Sequence, residues 1–237
     1  MNAVQYIYWT VFICWFRALL MGRRSDHTRE ELRALFISEG HAHLAQAGLA
    51  KFSGREVAKR VGYSVGTISN LFGSVDGLIV AINSRSFEVW AQVLRDRLES
   101  AGEDRIAALV DGYFAFAKES PELWSAIYAH RLPEGLDLPE EDKDRRAGLT
   151  QIVEDEIRTV LPAGTDADLV RLARSLVAVV HGHCSFVVSG SFALLEEPEP
   201  HAAALARVRE SLAAHGYRAE DFRSELGLGD SENRGSL

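Results

Sequence analysis

Residues 55–74 read REVAKRVGYSVGTISNLFGS. Val57, Ala58 and Val61, then Ile68, Leu71 and Phe72, recur at helical spacing, so two short amphipathic helices are expected. Gly62, Ser64 and Gly66 interrupt the pattern. Glycine enters the left-handed backbone region without steric cost, so Gly62 is expected to end the first helix abruptly. Ser64 offers its hydroxyl to the unpaired N–H groups that open the second. A short glycine-containing turn between two such helices is the helix-turn-helix pattern, which presents its second helix to the major groove of DNA. Gly66 and Thr67 keep the leading end of that helix slim, where backbone N–H groups and the helix dipole favour phosphate.

Outward from this stretch the periodicity stays helical. Leu32, Leu35, Phe36, Ala42 or His43, and Ala47 mark the apolar face of a first helix that Gly48 ends. Ser53 precedes Glu56 at capping-box spacing and opens the next. Ser74 is placed to cap a long helix running to Leu98, and a further helix spans about 104–119. Pro121 suits the first position of another, which carries Leu123, Trp124, Ile127 and Tyr128. Helices over about 141–160 and 167–190, with Asp166 as a cap, and a last one over about 201–215 ended by Gly216 complete the pattern. No strand and no internal repeat is expected, so the fold class is all-α.

Charge divides the chain unevenly. The net charge is −8 over 237 residues. Residues 21–75 nevertheless carry eight Lys/Arg against five Asp/Glu, and residues 76–237 carry seventeen against twenty-nine. A modestly basic module on an acidic larger one points to a polyanion partner for the first part only. Two cysteines, Cys14 and Cys184, leave no room for a disulfide framework, which fits a cytoplasmic setting. Residues 1–20 hold six aromatics and no charge before Arg17. They lack a signal peptide's basic start and small-residue cleavage site, and as a bilayer span they fall at the short end of about 17–25 residues. An upstream extension preceding a true start at Met21 is the expected reading; a membrane anchor and an added amphipathic helix are the alternatives. The tail from 221 is polar, with the composition of a disordered segment.

The run SGREVAKRVGYSVGTISNLFGSVDGLI resembles the DNA-binding domain of TetR-family transcriptional regulators, whose pattern reads G-V-S-x-G-x-L-Y-x-H-F-x-S-K-x-x-L. The resemblance spans residues 28–78. It departs from the pattern at Tyr63 for valine, Ser69 for tyrosine, Asn70–Leu71 for a polar–histidine pair, and Val75 for lysine. More loosely, VVHGHCSFVVSG is similar to a His-Gly helix of one subgroup's C-terminal domain. The resemblance implies a three-helix DNA-binding domain over 21–75 and a helical ligand-binding and dimerisation domain over 76–220, joined through the long helix. It also implies a homodimer on a double-stranded DNA operator, a small apolar or aromatic effector, and no cofactor or membrane partner.

Candidate residues follow. Thr67, Ser69 and Asn70 lie opposite Ile68 and Phe72, where Asn can pair with adenine and a Thr methyl can meet a thymine methyl. Ser64 and Gly66 lead that helix. Lys51, Ser53 and Arg55, at the start of the preceding helix, suit phosphates; a plain cap is the other role for Ser53. Phe87, Trp90, Tyr113, Phe116, Trp124, Tyr128 and His181 are the candidate lining of an effector pocket, or else ordinary core. His181, His183 and Cys184 sit at spacings that do not share one helical face, so no metal site is expected. No catalytic constellation stands out. A helical small-molecule binding protein with a weakened DNA head is the alternative to a ligand-responsive repressor.

Overall fold

The computed structural model describes residues 27–135, 137–161 and 166–216. The segment 1–20, Arg23, Arg24 and the tail from 221 lie outside these residues. Every regular element among the described residues is helical. Two compact units divide the chain, residues 1–35 and 36–237. The expected boundary at 75 falls inside the second.

In the first unit, Thr28 and Glu31 form a reciprocal capping box. The Thr28 N–H donates to Glu31 Oε2 at 2.8 Å and the Glu31 N–H donates to Thr28 Oγ1 at 3.2 Å. This opens helix α1, Arg29–Ala47, which continues into the second unit. There Phe36, Gly40, His43 and Leu44 are its buried residues. Of the two residues that periodicity left open, His43 is the one buried, with Leu44 beside it, two turns beyond Phe36; Ala42 is exposed.

Beyond a single 3-10 turn at Leu49–Lys51, α2 spans Gly54–Val61 and α3 spans Val65–Phe72. Ser53 caps α2 as expected, its Oγ accepting the Glu56 N–H at 3.4 Å. Gly62 ends it at φ 83°, its N–H reaching back to the Ala58 and Lys59 carbonyls. The next N–H, that of Tyr63, also returns to Ala58, at 2.9 Å. Only a residue tolerant of the left-handed region closes a helix this way. Val57, Ala58 and Ile68 are fully buried, and the Phe36 ring stands between Tyr63 and Phe72 at 6.4 and 6.3 Å. Aromatic rings at such spacing and tilt add to the area they bury.

The long helix α4, Val75–Glu99, is capped by Ser74, whose Oγ accepts the Gly77 N–H at 3.0 Å. Its first half buries Leu78 and Ile82 and its second half buries Trp90, Leu94 and Leu98. Around it stand α5 (Arg105–Glu119), α6 (Pro121–Ala129) and α7 (Glu140–Val160). Helix α8, Asp166–Ser189, packs on α5, α7 and α10, the last being Pro200–Ala214; a short α9, Ser191–Leu194, joins them. Asp166 is therefore the first residue of α8, where a cap was expected. By length and composition α8 is the one described helix able to cross a bilayer. Its Leu172, Ala173, Leu176, Val180 and Cys184 are buried within the protein.

The tightest joint lies where α3 meets α4. A β-carbon at Gly77 would stand 2.1 Å from the Phe72 carbonyl oxygen, and backbone cannot step aside as a side chain can. Gly77→Ala should therefore cost about 1–3 kcal/mol, the range of overpacked cores. Urea denaturation monitored by circular dichroism measures this; an unchanged midpoint would mean that α3 and α4 are not joined as described.

Candidate nucleic-acid interface and effector cavity

Helix α3 projects a polar face. Gly66 and Asn70 sit one turn apart, opposite the buried Ile68, and both are exposed, as is Ser69; Thr67 is half-buried. Ser64 does not cap α3 as expected. Its Oγ lies 3.4 Å from Thr67 Oγ1, so the hydroxyl is drawn to a neighbouring side chain and no side chain caps the helix start. Lys51 and Arg55 are exposed and flank the start of α2, with Ser53 half-buried between them. A histidine holds this corner in place: the Ser53 N–H donates to His43 Nε2 at 3.2 Å, and the His43 ring tilts against Phe52 at 5.5 Å. Nothing in the local sequence signalled His43, which acts across ten residues. Val75, where the family pattern has lysine, is 38% exposed at the first position of α4.

The second site lies in the helical body. Six of the seven aromatic and histidine candidates meet there. Trp90 stacks on Phe116 at 4.9 Å and stands edge-on to Tyr113 at 4.6 Å. His181 lies 5.0 Å from Trp124 and 4.1 Å from Tyr128. The Tyr113 hydroxyl is 3.0 Å from both the Tyr128 hydroxyl and His181 Nδ1. Phe87 lies apart from them, under the Arg146 guanidinium of α7 at 5.3 Å. His183 turns its Nδ1 to the Val179 carbonyl at 2.9 Å, away from the His181 contacts.

Beside this cluster is an apolar cavity of about 40 Å³. Tyr113 borders it, and its other walls are aliphatic: Ile106, Leu109 and Val110 of α5, Val153 and Ile157 of α7, Leu176, Val177 and Val180 of α8, and Val208 of α10. Aromatic content drew attention to the right helices, whereas the cavity itself is lined by residues that look like plain core in a sequence. Burial keeps the nearby titratable groups neutral. It pushes the Tyr113 hydroxyl up, holds His181 below its ordinary value, and pushes the Cys184 thiol up to about 12.

Helix α6 connects the two sites. At its start Glu122 lies against Gly48, where a β-carbon would come 2.3 Å from Glu122 Oε2. Just past its end, His130 Nε2 lies 3.2 Å from Asp76 Oδ1 in the first turn of α4. Between them the Ala126 carbonyl accepts from Asn83 Nδ2 of α4 at 3.4 Å, while Trp124 and Tyr128 reach into the aromatic cluster.

The described chain is thus a helix-turn-helix continued by a long helix into an all-helical body. Residues 106–209 match the model of the tetracyclin repressor-like C-terminal domain. With the head described above, the chain is similar to TetR-family transcriptional regulators, the matched model covering its C-terminal part. No curated protein matches it in sequence. Among solved structures, one of a protein with unknown function from Rhodococcus sp. RHA1 is similar, with 19% identity, a TM-score of 0.62, and coverage of 81% of this chain and 98% of that one. The multidrug binding protein EbrR complexed with imidazole has 20% identity and a TM-score of 0.53, covering 78% and 96%. A TetR-family transcription regulator from Shewanella sp. PV-4 has 13% identity and a TM-score of 0.55, covering 77% and 96%. At these identities the likeness is one of fold.

Burial holds His41 and His43 below their ordinary 6.5, with the Arg85 charge adding to the effect at the first and Arg60 at the second; a weaker pull from Glu56 opposes it at His43. With His181, three imidazoles thus favour the neutral form when folded. Their contribution is complete above pH 6.5 and is lost as pH falls through their lowered folded values. The melting temperature should hold from pH 8 to about 6.5 and fall steadily below it. His43→Gln keeps an acceptor for Ser53 without a titrating ring and should make that fall shallower; an identical pH profile would remove His43 from the account.

Proposed function

We propose that the protein is a ligand-responsive transcriptional repressor that binds a near-palindromic operator as a homodimer in the cytoplasm, without catalysis. The observation that carries this reading is the geometry of α3: a short helix held by Ile68 on one side, with Gly66, Ser69 and Asn70 exposed on the other. Thr67, Ser69 and Asn70 read bases, while Lys51, Ser53, Arg55, Ser64 and Gly66 meet phosphates and set the register. The functional division is a DNA-binding head over 21–75 and an effector and dimerisation body over 76–220.

The dimer reading is supported by α8, whose outward face carries Ala178 and Phe186, the latter 44% exposed, and by Leu194 and Leu195 beyond it, 86% and 62% exposed. Such an apolar surface suits an interface between copies. The effector reading is supported by the cavity and by EbrR, solved with imidazole and with proflavin. At about 40 Å³ the cavity is well below the hundreds of cubic ångströms of a typical ligand pocket. An effector must enlarge it, and by preferring the enlarged body it shifts the population away from the DNA-bound state. One observation favours the alternative of a small-molecule binder with a weakened head: Val75 occupies the position of a family lysine that approaches the backbone.

Selection from a random duplex pool separates the two readings. The regulator should enrich an inverted repeat; enrichment of nothing by the folded chain overturns this reading in favour of the alternative. On the selected site, Asn70→Ala should relax preference at one base pair per half-site by about 1–3 kcal/mol. Val75→Lys should tighten binding to all variants alike and steepen the log–log salt dependence by about 0.9 per half-site. If affinity and salt slope stay as they were, α4 does not approach DNA at its first turn.

A further inference from the structure

The effector cavity and its surroundings specify more than size. None of the cavity's lining residues is charged. The nearest buried carboxylate, Glu156, is held by Arg105 in a two-pronged ion pair with both distances at 2.6 Å. The same pair occupies the guanidinium, so neither charge is available to a ligand. A charged molecule entering the body would lose its hydration with no counter-charge to meet it.

Hydrogen-bonding groups are another matter. Trp90 and Trp124 are 1% and 4% exposed, and neither indole Nε1 has a hydrogen-bond partner among the described residues. Asn83 Oδ1, on a side chain that donates to Ala126, is likewise without one. Buried indole N–H groups normally find an acceptor. Tyr113 belongs to both places: it borders the cavity and stands edge-on to both indoles, at 4.6 and 6.5 Å. Its own hydroxyl is already engaged with Tyr128 and His181. A turn of the Tyr113 ring would open the aliphatic cavity toward the two indoles it touches.

We propose that the effector is an uncharged aromatic molecule bearing a hydrogen-bond-accepting oxygen, seated with its apolar body among the aliphatic walls and its oxygen on the Trp90 and Trp124 indole N–H groups. The proposal rests on the effector reading given above and adds the chemical class. It excludes carboxylic acids, which need an arginine or lysine, and ranks organic cations below neutral ligands, because the aliphatic cavity wall holds no carboxylate. An indole N–H only donates, so the ligand must bring the acceptor. Burial of Tyr113, His181 and Cys184 in neutral form keeps the whole site uncharged near neutral pH.

Four probes of matched shape test this on the full chain: acetophenone, ethylbenzene, the 1-phenylethylammonium cation and benzoate. Acetophenone should bind about tenfold tighter than ethylbenzene, the worth of a buried hydrogen bond. Both ions should bind at least about a hundredfold more weakly than acetophenone, given the cost of an unpaired buried charge. In 15N-labelled protein the Trp90 and Trp124 indole cross-peaks should move downfield with acetophenone and not with ethylbenzene. Trp90→Phe and Trp124→Phe, which keep the ring and remove the donor, should narrow the preference for acetophenone to within about twofold. The proposal is overturned if the cation or benzoate binds as tightly as acetophenone, if the indole signals stay in place, or if no probe binds. Operator affinity in saturating acetophenone tests the parent reading separately: binding that moves the indole signals yet leaves the operator complex intact keeps the ligand class and removes the effector role.

Discussion

One unbroken helix, Val75–Glu99, is buried at both ends by different company, and the rest of the molecule depends on that. Near its start, Gly77 fits beneath the Phe72 carbonyl, and Leu78 and Ile82 are buried next to Gly40 of α1. Three turns later the same helix presents Trp90 and Leu94 to the body, where Gly112 of α5 makes room for Leu94. A packed interior does not deform gradually, so a helix fixed at two places moves as a rod or not at all. Under the proposed function, a ligand displacing the Trp90 end would therefore act on the Gly77 end, and DNA held at α3 would act back on the cavity.

Helix α6 supplies a second connection. Glu122 against Gly48, the Asn83–Ala126 hydrogen bond and the His130–Asp76 pair tie it to the head and to α4 along its whole length. Its Trp124 and Tyr128 belong to the cluster around His181. A ligand entering past Tyr113, as proposed, would disturb those two rings first. The displacement would then be read at Asp76, four residues beyond the recognition helix, without any need for a long relay.

Much of this was legible in the sequence, and the failures are specific. Ser53, Gly62 and Ser74 act through neighbours within five residues, so spacing alone located three helix ends. Ser64 has the same residue type as Ser53 but a competing partner in Thr67, and local chemistry could not rank the two. His43 and His130 work across ten and fifty-four residues, distances at which a single sequence carries no signal. The aromatic cluster was visible because large rings are rare and must be buried somewhere. Phe87 shows the limit of that rule: three residues before Trp90, it faces Arg146 on α7. The aliphatic cavity was invisible, since valines and leucines that line a void look the same as those that fill one.

The coupling through α4 and α6 can be measured by amide hydrogen exchange with and without operator DNA. Protection within residues 36–75 would report only that the head has bound. The account predicts additional slowing in Pro121–Ala129, a helix without a base or phosphate contact, because Asp76 and Asn83 hold it to α4. Exchange in that helix unchanged by saturating operator would contradict it, leaving a head and a body that share a helix but not a mechanism.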